Sequence, residues 1–161
     1  MSGITRQLLL DVDVVVEAPV PSELSPDEML RLVRHVLDRE GAVGVWAVAV
    51  VLTDDDRLRA LHRKFMGIDT ETDVMTFPAA GAPGTTGPTR GGDIVVSIER
   101  VAVQGPAFGL SVADEVLFLV VHGMLHLLGW DDRADDDRAG MMQRQTDLLS
   151  GFRAMSDPDI G

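Results

Sequence analysis

In VVHGMLHLLGWDD, residues 120–132, two histidines stand four apart in an apolar run, and carboxylates follow. Residues four apart share one face of a helix about a turn from each other, so His122 and His126 can aim imidazole nitrogens at one ion. Gly129 supplies the left-handed conformation that ends such a helix and turns the chain back. Asp132 then stands where a third ligand is needed, with Asp131 as the competing donor. The pattern H-x-x-x-H-x-x-G-x-x-D describes three ligands and an open position, the layout of a catalytic divalent metal. Zinc is the leading candidate, and manganese and nickel come next. The alternative is a helix-capping His126 and a His122 satisfied inside the core. It needs buried partners that the apolar surroundings do not offer.

Metallopeptidases with two histidines on a helix carry glutamate directly after the first, as general base. That position is Gly123, which weighs against peptide hydrolysis and leaves metal binding intact. The glycine is expected to clear space beside the ion for a bulky substrate such as a phosphodiester backbone. The chemistry expected of His122 and His126 is then attack on phosphorus by an activated water, with the ion neutralising a phosphate oxygen.

Several elements must hold that stretch in place. Leu8 to Val16 alternates in part and is rich in β-branched residues, which predicts a strand. Ser25-Pro26-Asp27-Glu28 starts a helix that Gly41 stops, with Met29, Leu32, Val33, Val36 and Leu37 on its apolar face. Val45 to Leu52 is continuously apolar and of strand length, an interior strand. Thr53 with Asp56 caps a second helix, carrying Leu58, Leu61 and Phe65, that Gly67 ends. Thr72 to Pro78 is a short strand, after which AAGAPGTTGPTRGG leaves neither helix nor strand tenable. Asp93 to Ile98 resumes strand character, and Glu99 to Gln104 forms a turn or two of helix. Ser111 with Asp114 starts the metal helix, which should be enclosed because Val116 to Val121 is apolar on every side. A last helix packs through Met141, Met142, Leu148, Leu149 and Phe152, its acidic start at Asp135 to Asp137 favoured by the helix dipole. Residues 154–161 are expected to be a flexible tail.

Composition bounds the rest. At 161 residues the chain is one domain by length, with a sizeable core. Hydrophobic content of 45% beside 25% charged residues argues against a mainly disordered chain. No cysteine occurs, so any metal is held by His, Asp or Glu, and a reducing cytoplasm fits. No apolar run reaches membrane-spanning length. A formal net charge of −12 disfavours binding nucleic acid through bulk charge while leaving room for a local basic groove.

Three segments carry a resemblance: Thr72 to Pro78 (TDVMTFP), Gly92 to Val95 (GDIV) and His122 to Asp132 (HGMLHLLGWDD). In order and spacing they resemble the YbeY family over nearly the whole chain. That family consists of small bacterial metal-dependent endoribonucleases implicated in maturing the 3′ end of small-subunit ribosomal RNA and in ribosome quality control. The resemblance implies a single α+β domain over residues 1–161, a mixed sheet of about four strands packed against helices, and a zincin-like metal helix. It implies cleavage specific for single-stranded RNA, with ribosomal RNA and the small ribosomal subunit as partners. It also makes His122 and His126 the first two metal ligands and puts the third at Asp132, where the family has histidine. An anionic oxygen ligand there favours harder metals such as manganese.

A second departure is Met66, which stands where many family members have an arginine. The nearest bases, Arg63 and Lys64, lie one turn earlier and could form with Arg57 and Arg59 a basic ridge for phosphates. Arg59, Arg63 and Lys64 are the substrate-binding candidates; the alternative is ordinary solvated charge balancing Asp54 to Asp56. His62 is expected to pack beside Leu58 and Phe65, and Arg90 to be a surface residue of the glycine-rich loop. The T-D-V and G-D-I segments should line the cleft facing the histidines, with Asp93 orienting a ligand from behind. Two rival functions remain: a non-catalytic ribosome-assembly module with an altered metal site, favoured by Asp132 and Met66, and a metzincin-like peptidase, disfavoured by Gly123.

Overall fold

The structure, a computed structural model, describes residues 7–67, 72–79, 89–104 and 109–156. Among these, four strands and five helices follow one another as β1 (Leu8–Val16), α1 (Pro26–Arg39), β2 (Gly44–Thr53), α2 (Asp55–Met66), β3 (Val74–Pro78), β4 (Thr89–Ser97), α3 (Ile98–Gln104), α4 (Val112–Leu127) and α5 (Asp135–Ser156). The strands form one mixed sheet in the order β1-β2-β4-β3. β1 and β4 run parallel to β2, and β3 pairs antiparallel with β4 at the edge. The architecture is the expected α+β domain with a four-stranded mixed sheet.

The caps follow the local chemistry of the sequence. Ser25 Oγ accepts the Glu28 N–H, and Ser111 Oγ accepts the Asp114 N–H. α2 is capped by Asp54, which accepts from Arg57 N, rather than by Thr53, which is buried in β2. Gly67 and Gly129 take the left-handed conformations their positions require.

One face of the sheet carries the main core. Trp46, Val48, Val50, Leu52, Ile94 and Val96 form a core there with α1 and α4, and α5 packs on those two helices. α4 is enclosed as its composition demands, with Val116, Leu117, Val120, Val121, Met124 and Leu125 fully buried. On the opposite face Leu58 of α2 covers Met75 and Val95. That face is only partly covered: Val45 is 47% exposed, so β2 is interior in the sheet but not buried on both sides.

Other expectations change. β4 begins at Thr89, so Thr89 to Gly92 belong to a strand and not to the loop; residues 80–88 lie outside the described ones. Gly91 and Gly92 permit this by close backbone approach. A Cβ on Gly91 would lie 2.1 Å from the Ala47 carbonyl oxygen, and one on Gly92 2.2 Å from that of Phe77. Arg90 is accordingly an exposed strand residue. Of the last helix's stripe, Met141, Leu148 and Phe152 are buried, whereas Met142 is exposed. The helix also continues to Ser156, so residues 154–156 are helical and not a tail, and 157–161 lie outside the described residues.

Candidate metal centre

α4 delivers both histidines from its last two turns, and the turn after it returns Asp132 to them. Trp130 N–H donates to the Leu125 carbonyl at 2.9 Å and Gly129 N–H to that of His126 at 3.0 Å, which closes the helix end. The indole of Trp130 donates to Glu40 Oε1 at 2.8 Å, while Arg144 Nε donates to Glu40 Oε2 at 2.6 Å. The mostly buried Glu40 therefore ties the turn to both α1 and α5.

The result is a compact group. His122 Nε2 and His126 Nε2 lie 3.1 Å apart. Asp132 Oδ2 lies 3.3 Å from the latter and 3.7 Å from the former. The three ligand atoms fall within 4.8 Å of one another. A four-coordinate ion with bonds of about 2.0–2.1 Å spaces its ligand atoms about 3.3 Å apart, close to the observed triangle. The competing Asp131 does not share it, since its oxygens accept from the backbone N–H and Nε of Arg133.

The proton positions follow from the partners. Gln145 Nε2 must donate to the Phe118 carbonyl at 2.9 Å, so its Oε1 faces His122 Nδ1 at 3.1 Å and makes that nitrogen the donor. His126 Nδ1 lies 3.2 Å from the Trp130 carbonyl, which can only accept. In the Nδ1–H tautomer that these partners favour, each Nε2 turns its lone pair toward the other histidine and the carboxylate. Three electron-pair donors converging on one point fit a divalent cation. Burial lowers the pKa of His122, against the raising effect of its Gln145 hydrogen bond, and so favours the neutral ring that a ligand requires.

Gly123 serves a different purpose from the one expected. It is buried, and a Cβ there would lie 2.7 Å from Ile94 Cγ2, so the glycine lets α4 sit closely on β4 instead of clearing space for substrate. A glutamate would meet the same isoleucine. The general base of a peptidase has no room at this position.

The histidines open into a cleft of about 390 Å³ lined also by His62, Met66, Thr72, Val74, Thr76 and Pro78. Thr72 and Val74 of the T-D-V segment thus face the histidines, as expected, whereas Gly92, Asp93 and Ile94 of the G-D-I segment are not among the lining residues. His62 lines this cleft without belonging to the ligand group formed by His122, His126 and Asp132. Arg59, Arg63 and Lys64 are exposed on α2 and are not among the cleft's lining residues. Asp93 is on the other face of the sheet, beside Arg57 and Phe77, and orients neither histidine. That task falls to Gln145 and the Trp130 carbonyl. Gln145 had a readable signal: it is 2% exposed on the same face as Met141, Leu148 and Phe152, a polar side chain inside an apolar stripe.

A family model described as "Endoribonuclease YbeY" matches residues 18–153. Curated relatives of that name include one from Thermus thermophilus, 39% identical over 139 residues, covering 86% of this chain and 99% of the relative. Another, from Thermobifida fusca, is 35% identical over 149 residues, covering 89% and 95%. A Thermotoga maritima protein known from a solution structure superposes with a TM-score of 0.59 at 26% identity, covering 93% of this chain and 98% of that one.

Proposed function

Because the chain belongs to the endoribonuclease YbeY family, we propose that it is a metal-dependent endoribonuclease cutting single-stranded RNA, with the 3′ end of small-subunit ribosomal RNA as its substrate. The observation that carries the reading is the convergence of the Nε2 atoms of His122 and His126, 3.1 Å apart with Asp132 Oδ2 beside them. These three residues would hold the ion, zinc first, with manganese or nickel as alternatives that the carboxylate ligand accommodates. A divalent ion supplies a Lewis acid that acidifies water and neutralises phosphate charge.

The chain's own residues do the positioning. Gln145 and the Trp130 carbonyl fix both imidazoles in the tautomer that points Nε2 into the cleft. His62 lines the wall opposite, near enough to the same space to contact substrate. Arg59 and Arg63 follow His62 and Met66 around one face of α2, so together with Lys64 they would take phosphates of the strand as it leaves the cleft. The partner is then the small ribosomal subunit or its precursor, and the compartment the cytoplasm. None of the described helices is long and apolar enough to cross a membrane.

The test is cleavage of a single-stranded RNA carrying the small-subunit 3′ precursor sequence, by protein loaded with zinc or manganese, with casein alongside. Chelator-sensitive RNA cleavage, lost in His122→Ala, is expected, and casein should stay intact. Metal-loaded protein that leaves the RNA whole, or a His122→Ala variant as fast as wild type, overturns the reading. Inert protein that still associates with small subunits would support an assembly module in its place.

A further inference from the structure

His122 and Val74 line not one cleft but two. On the side away from His62 a second groove of about 620 Å³ runs between α3, α4 and α5. That volume is within the range of sites that enclose small molecules, about 300–1,000 Å³. Its walls are largely apolar, formed by Phe118, Leu119, Met142 and Leu149. Its floor is acidic. Glu115, only 4% exposed, stands two turns before His122 on the same face of α4, and Asp73 stands just before β3. Gln104 lines the same groove and donates to Asp73 Oδ2 at 2.7 Å.

This chemistry selects among the parts of an RNA strand. Two carboxylates in a shielded groove repel a phosphate, and burial followed by the nearness of Asp73 already pushes the pKa of Glu115 up, so a further anion is disfavoured there. A nucleobase suits the groove in both respects. Its faces stack on apolar and aromatic side chains, and its ring and exocyclic N–H groups donate to carboxylate oxygens. We propose that the groove beside His122 receives the base of one nucleotide flanking the scissile phosphate, stacked on Phe118 and Met142 and facing the Asp73, Gln104 and Glu115 floor. The proposal rests on the endoribonuclease reading, since the strand must pass His122 to reach both clefts.

Removing the base from the substrate tests it without disturbing the protein. An oligoribonucleotide cut by the metal-loaded enzyme is remade with an abasic residue on the 5′ or on the 3′ side of the mapped cut. One of the two substitutions should raise KM about tenfold or more while changing kcat less, as expected for losing a stacked base. Phe118→Ala and Met142→Ala, each checked for an unchanged melting curve, should bring the ratio between intact and abasic substrates toward one. The proposal is overturned if neither abasic substrate differs from the intact one by more than about twofold, or if the ratio survives in both variants. Wild-type protein that cuts no RNA overturns the endoribonuclease reading and the base subsite together, whereas cleavage indifferent to the base overturns the subsite alone.

Discussion

Gly123 and Ile94 approach so closely that a methyl group on the glycine would lie 2.7 Å from Ile94 Cγ2 and 3.0 Å from Cγ1. The contact joins the metal helix to the central part of the sheet. It sets how deeply His122, one residue earlier, sits against β3 and β4.

Gly123→Ala weighs two opposed effects. Alanine in a helix interior gains about 1 kcal/mol over glycine, while overpacking a filled core costs about 1–3 kcal/mol. Ile94 is β-branched and fully buried, so it yields little and the second effect should win, for a net loss of about 1 kcal/mol in urea unfolding. In an Ile94→Ala background the γ carbons are gone, and the same substitution should become neutral or stabilising. An equal loss in both backgrounds would refute the contact.

Gln145 should act on the metal through His122. Gln145→Met keeps the bulk but removes the acceptor at Nδ1, freeing the ring to change tautomer. Zinc affinity, measured by competition with a chromophoric chelator, should fall about 10–100-fold with the far-UV spectrum unchanged. An affinity equal to wild type would show that the ring is held by packing alone.

Asp131 and Asp132 are adjacent in sequence but differ in partners. Asp132→Ala should no longer hold zinc at concentrations that saturate the wild type. Asp131→Ala breaks only the exposed contacts to Arg133 and should bind like the parent. The reverse ranking would move the third ligand to Asp131.

His35 makes stability depend on pH. It is 7% exposed between α1 and α5, its ring 5.7 Å from that of Phe152, and its Nε2 has no hydrogen-bond partner among the described residues. Burial first, then the nearby Arg39, lowers its pKa from 6.5. The folded state therefore favours the neutral ring, so this contribution is fully present above the unfolded pKa and fades as pH falls through 6.5 toward the lower folded value. Denaturant curves between about pH 7 and about pH 5 should show stability falling with acid, and falling less steeply in His35→Leu. Parallel curves for the two proteins would rule out His35 as the source.

Some of this was decided by short-range chemistry. The helix starts at Ser25 and Ser111, the stop at Gly67 and the return at Gly129 depend on hydrogen bonds and backbone angles within a few residues, so they were legible from local spacing. The same holds for His122, His126 and Asp132, because one helical turn and one glycine turn are enough to bring them together. Other features needed the assembled fold. Whether Gly123 faces substrate or isoleucine depends on the sheet it packs against, and β4 starts at Thr89 only because Ala47 and Phe77 lie across from Gly91 and Gly92. The partners of the two imidazoles, Gln145 and the Trp130 carbonyl, are contributed by α5 and by a turn tied to Glu40 some ninety residues away. The sequence by itself determined which atoms could bind a metal. The tertiary structure decided which partner each Nδ1 meets, and so that the two Nε2 atoms face the same place.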